Sequence, residues 1–166
     1  IHCHNDTGCA VANSMAAVAA GAVHVQGTFI GFGERCGNAD LSTIIANLTL
    51  KCGCDLGIDL SNLKITARKI AEIANIRLKS NHPYVGKSAF AHKGGMHIDG
   101  VQKCSKSFEH VPPESVGNER KFLLSEVAGR GTVLPKIQRF APEIGKKSPE
   151  TTAITNALKE REDFGY

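Results

Sequence analysis

The sequence predicts an α/β fold over residues 1–80, followed by a mainly helical α+β region over 81–166. Three observations carry this. Ile1 to Asn5 reads as the end of a strand, Thr7 to Ala20 as an Ala/Val-rich helix stopped by Gly21, and Val23 to Gly27 as a second short strand. A strand, a helix and a strand within the first 27 residues make a compact parallel βαβ unit. The glycine-rich loop GTFIGFGERCGNAD then leads to a helix over Leu41 to Leu50, which Asp40 or Ser42 can cap. Finally, composition changes at Ser80-Asn81-His82-Pro83, which reads as a connector.

The remaining elements follow in order. Ser61 is placed to cap an amphipathic helix, SNLKITARKIAEIANI, with Leu63, Ile70, Ile73 and Ile76 as its apolar residues. Pro83 to Gly86 enters the second region, and AFAHKGGMHIDGVQK reads as helical around a Gly-Gly interruption. Pro112-Pro113 starts a turn, Lys121 to Val127 suits a strand or a helix, and Thr132 to Phe140 suits a helix. A last helix, Pro149 to Arg161, runs towards Phe164-Gly165-Tyr166. There is no internal repeat.

Composition excludes several classes of function. The net charge of +4 comes from scattered Lys and Arg, and aromatic residues make up 5% with no Trp. A nucleic-acid binder more often concentrates basic residues beside stacking aromatics. The apolar stretch from Ala10 to Val25 is short and interrupted by Asn13, Ser14 and His24, so no membrane span is expected. Cysteines at 3, 9, 36, 52, 54 and 104 contain no CxxC, and Cys52-Gly53-Cys54 reads as a pair of ordinary thiols. Reduced thiols and a cytoplasmic location are expected.

His2 and His4 are the first candidates for chemistry. Side chains two apart on a strand point the same way, a spacing that suits chelation of one divalent ion. A hydrogen-bonding core histidine beside an incidental one would look the same. Position favours ligands, because parallel α/β proteins collect catalytic groups where strands lead into helices. The following loop adds Gly31, Gly33, Glu34, Arg35, Gly37 and Asn38; its glycines allow close backbone approach, and Asn38 offers a neutral amide oxygen. It is not a P-loop, since GxxxxGK[ST] is absent. His92 and His97 by themselves read as partly buried helix histidines.

HCHNDTGCAVANS, VQGTFIGFGERCGNADL and PYVGKSAFAHKGGMHIDGVQK together resemble the 2-isopropylmalate, homocitrate and citramalate synthase family, over nearly the whole chain. The closing stretch, FEHVPPESVGNERKFLLSEVAGRG and the helix ending EREDFGY, is most similar to the citramalate synthase branch. The resemblance implies that residues 1–80 are the last two βα units of a TIM (β/α)8 barrel. It makes residues 81–166 a linker subdomain that contributes to the active site and to a homodimer. The implied reaction is a Claisen-type condensation of acetyl-CoA with a 2-keto acid, pyruvate giving (R)-citramalate, followed by thioester hydrolysis. Alternatives are 2-ketoisovalerate as substrate, or a non-catalytic dimerisation module.

By the same resemblance His2, His4 and Asn38 hold a divalent metal ion (Mn, Mg or Zn), and Glu34 and Gly37 meet the substrate. Asp6 would orient a liganding histidine, although capping the following helix accounts for it equally well. His97 would assist proton transfer, reaching the barrel of the other subunit, while His92 would be structural or line a pocket. The family's Asp-Arg-Glu motif, which completes the metal site and binds the keto acid, is expected upstream of Ile1. Relatives in the citramalate branch often carry Tyr before the EH pair; this chain carries Phe108.

Overall fold

The computed structural model describes residues 1–123 and 129–164. It parts into two units, Ile1–Ala89 with Pro113–Glu119, and Phe90–Pro112 with Arg120–Tyr166.

The first unit holds α1 (Ala10–Ala19), α2 (Leu41–Leu50) and α3 (Leu63–Ile73). Helix α1 begins later than Thr7 because residues 5–8 are spent on a turn, in which the Gly8 amide donates to the Asn5 carbonyl at 2.9 Å. Asn5 also accepts from the Ala10 amide through Oδ1 at 3.2 Å, so Asn5 and not Asp6 serves the helix start. Helix α2 has the expected bounds, with Asp40 as its cap, accepting from the Ser42 amide. Ala10, Ala39, Ile44 and Leu48 form a small core between these helices, flanked by Cys3, Val11, Met15, Val18, Val25 and Cys54.

Both expected strands are extended, but they pair with each other only at one parallel bridge, His2 to Gln26. The reason lies in the segment 37–40, which takes the remaining ladder groups. Ala39 donates to Cys3, Asn5 to Gly37 and Thr28 to Ala39, giving the bridges His4 to Asn38 and Thr28 to Asp40.

Helix α3 corrects two expectations. Its cap is Asp59, which accepts from the Ser61 amide and starts a 3-10 turn over Leu60–Asn62 before the α-helix proper. Its buried face is Leu63, Ala67 and Ala71, whereas Ile73 is 87% exposed and Ile76 38%. Small alanines occupy the close contact, Ile73 falls away from it, and Ile76 lies beyond the end of the helix. Residues 113–119 return to this unit through Asn118, whose buried amide donates to the carbonyls of Tyr84 and Gly86. Tyr84 is held there at φ 60° with its hydroxyl donating to Asn47 at 2.7 Å.

The second unit contains β1 (Ala91–His92), α4 (Gly95–Lys103), β2 (Lys121–Phe122), α5 (Arg130–Ile137) and α6 (Pro149–Asp163). AFAHKGGMHIDG is therefore a strand followed by a helix. Gly94 is the N-cap of α4, a position where glycine is acceptable, and not a mid-helix interruption. β1 and β2 pair in parallel, Ala91 with Lys121 and His92 with Phe122. Of the stretch expected as strand or helix, Lys121–Phe122 is strand, while 124–127 lie outside the described residues, as do Gly165 and Tyr166. Helix α5 starts and ends earlier than the expected Thr132 to Phe140. Helix α6 begins with Ser148, which accepts from the Thr151 amide, and Pro149 in the first helical position. Among the described residues no helix is long and apolar enough to cross a membrane.

Candidate functional site

In the first unit, His2 and His4 project together from the extended N-terminal segment. Their Nε2 atoms are 3.3 Å apart, and the rings meet edge-on with centroids 5.0 Å apart. Two nitrogens each about 2.1 Å from one ion in tetrahedral directions lie about 3.4 Å apart. The pair thus has the spacing of two ligands on one ion, and both rings are exposed. Asn38 stands beside His4 through the antiparallel bridge, with its amide Nδ2 donating to the Phe32 carbonyl at 3.3 Å. Its Oδ1 is buried without a hydrogen-bond partner, which leaves an oxygen donor free. Two exposed imidazole nitrogens at this spacing suit a borderline divalent ion. Among the described residues no three His, Cys, Asp or Glu side chains gather to hold an ion, so the two imidazoles stand as a pair.

The loop that carries Asn38 is set by close backbone packing. A Cβ on Gly37 would sit 2.0 Å from the Gly31 carbonyl oxygen, and the residue has φ +92°. Only glycine fits there. Glu34 is exposed at the loop's tip, its carbonyl accepting from the Gly37 amide. Asp6 does not contact a histidine by hydrogen bond. Both its carboxylate oxygens accept from Arg35, at 2.8 and 2.9 Å. That guanidinium outweighs slight burial and lowers the Asp6 pKa.

Beneath the loop lies a polar cluster that sequence reading missed, apart from Asp40 as a cap. Asp40 Oδ1 accepts from the Ser42 amide and hydroxyl at 2.9 and 2.6 Å. Oδ2 accepts from the Thr43 hydroxyl and faces His82 Nε2 at 2.8 Å. Burial pushes the Asp40 carboxyl upward, but the hydrogen bonds from His82, Ser42 and Thr43 together prevail and hold it below the ordinary range. Asp40, His82, Asn5, Asn38, Arg77 and Lys79 line a pocket of about 440 Å³. The sequence signal was weak: a histidine before proline in a connector.

In the second unit His97 sits exposed on α4, stacked on Phe108 with ring centroids 4.1 Å apart. His92, by contrast, is buried on β1, with Nε2 3.1 Å from Glu109 Oε1. Arg120 donates to both oxygens of the same carboxylate, Nε to Oε1 at 2.7 Å and Nη2 to Oε2 at 2.5 Å. The Arg120 fork chiefly, and then His92, keep the Glu109 pKa low against its desolvation. Glu109 was not singled out in the sequence, although a glutamate among Phe108, Val111 and two prolines was a signal of burial.

Residues 1–70 match the HMGL-like family, and residues 84–165 match the homocitrate synthase post-HMGL domain-like family. The whole chain is 52% identical to an (R)-citramalate synthase of Aquifex aeolicus and 48% identical to one of Synechocystis, covering 32% and 31% of those proteins. It is also similar, at 37% identity over 99% of its length, to a probable 2-isopropylmalate synthase of Methanopyrus kandleri, of which it covers 33%. The chain thus spans about a third of the length of these curated relatives.

Proposed function

We propose that this chain, matched by the HMGL-like family over residues 1–70 and by the homocitrate synthase post-HMGL domain-like family over 84–165, is part of the catalytic barrel and following domain of an acyltransferase that condenses acetyl-CoA with pyruvate to give (R)-citramalate. The observation that carries this reading is the match of the entire chain, across both units, to (R)-citramalate synthases. The probable 2-isopropylmalate synthase among the relatives keeps 2-ketoisovalerate as a second substrate to be tested.

Within this reading, residues 1–80 supply the last two βα units of a TIM barrel, and 81–166 complete the active site of a homodimeric, cytoplasmic enzyme. His2, His4 and Asn38 contribute three donors to a divalent ion (Mn, Mg or Zn). When bound, such an ion would supply Lewis-acid polarisation of the keto-acid carbonyl. The buried, unpartnered Asn38 Oδ1 supports a ligand role. Glu34 and Gly37 border the substrate from the loop, and Asp6 acts on that border through Arg35. His97, exposed and free to meet a ligand, holds or moves the proton as the acetyl group is deprotonated or the new hydroxyl forms.

The test is the full-length enzyme with acetyl-CoA and each of pyruvate, 2-ketobutyrate and 2-ketoisovalerate, with free CoA followed by a thiol reagent. Pyruvate should give the highest kcat/KM. Preference for 2-ketoisovalerate would replace the citramalate reading, and no keto-acid-dependent CoA release would end both.

A further inference from the structure

His97 and Gly100 lie three residues apart on α4 and so share a face. The Phe108 ring covers that face, with its plane 25° from the imidazole. A Cβ on Gly100 would lie 2.5 Å from Phe108 Cε2 and 2.9 Å from Cδ2. The ring therefore occupies this seat only because residue 100 has no side chain. Phe108 is 42% exposed, so burial alone does not hold it there.

The next residue does. The Glu109 side chain is 2% exposed and is gripped by His92 on β1 and by Arg120, the residue immediately before β2. Its backbone amide also donates to Ser105 at 3.0 Å, closing the turn that carries Phe108. β1 leads within three residues into α4. Both rings are thus tied to β1, His97 through α4 and Phe108 through the contact of Glu109 with His92. An exposed imidazole without such support would spread over several rotamers.

We infer that Glu109, clamped by Arg120 and His92, is a positioning residue for His97: it fixes the turn at 105–109 and, through the Phe108 ring, the direction of the imidazole. This rests on His97 being the proton-transfer group. A displaced acid or base loses much of its advantage, since an error near 1 Å can cost about 100-fold in rate.

Three variants of the full-length enzyme test it: Glu109→Gln, Phe108→Leu and Gly100→Ala. Each should lower kcat roughly 10- to 100-fold, with metal content and the keto-acid KM within about twofold of the parent. Each should also move the His97 ring resonance, read with carbon-13-labelled histidine and assigned by its loss in His97→Ala. The double variant Glu109→Gln/Phe108→Leu should be no slower than the slower single, because both act through one contact. An unmoved His97 signal in Glu109→Gln, or losses that multiply in the double variant, overturns the inference. If His97→Ala keeps its kcat while Glu109→Gln still moves the signal, the proton-transfer reading falls and the positioning contact stands. Should Glu109→Gln not fold, Gly100→Ala decides alone: an unchanged signal and kcat refute the inference.

Discussion

Replacing Asp40 with alanine removes the acceptor for four groups at once: the Ser42 amide, the hydroxyls of Ser42 and Thr43, and His82. Loss of the helix cap costs about 1 kcal/mol. The buried Thr43 hydroxyl, left without its acceptor, costs a further 1–3 kcal/mol, roughly. The Ser42 hydroxyl is partly rescued, since His82 Nε2 stands 3.5 Å away and can accept from it. The sum is about 2–4 kcal/mol. Asp40→Asn keeps the cap and an amide that can donate to a neutral His82, so it should cost about half as much. The assay is urea unfolding of the full-length protein by circular dichroism, comparing midpoints at constant slope. The sign of the pH effect follows from the lowered Asp40 pKa. Because the folded state binds this proton less readily than the unfolded chain, the contribution is full above the ordinary carboxylate pKa of about 4. It fades as the pH falls below that value through the folded pKa. The Asp40→Asn protein should therefore show a flatter loss of stability below about pH 4. An Asp40→Ala midpoint equal to that of the parent would refute the reasoning.

Gly37→Ala should unfold the Asn38 loop, because the new methyl meets the Gly31 carbonyl at 2.0 Å and the backbone has φ +92°. The expected cost exceeds about 2 kcal/mol, read as a lower melting temperature and weaker metal retention after dialysis. In the full-length enzyme His2→Ala or His4→Ala should lose bound metal and activity together, checked by elemental analysis beside the CoA assay; retained metal would exclude that residue as a ligand. His97→Ala should lower kcat by roughly 10²–10⁴ with metal intact. Co-expressed with inactive His4→Ala chains, it should recover part of the activity if the two residues serve one site from different subunits. Absence of rescue would mean that one subunit supplies both residues to a given site.

Local rules made much of this chain legible from its residues. Alternation along an extended segment put the His2 and His4 rings side by side, as found. The cap at Asp40 and the apolar run behind it set both ends of α2. Motif order carried the family. What those rules missed was decided over distance. Asp6 meets Arg35 across 29 residues and Asp40 meets His82 across 42, so neither partner could be read from its neighbours. The same holds for α3, where helical periodicity offered Ile73 and Ile76 but packing chose Ala67 and Ala71, the residues small enough for close approach. Glu109 makes the point most sharply. Its charge suggests a solvated side chain, yet Arg120 and His92, brought to it by the pairing of two short parallel strands, supply the hydrogen bonds that make its burial possible. Sequence determines what each residue can offer within a few positions of itself; a buried charge also needs a partner, and only the folded chain delivers one.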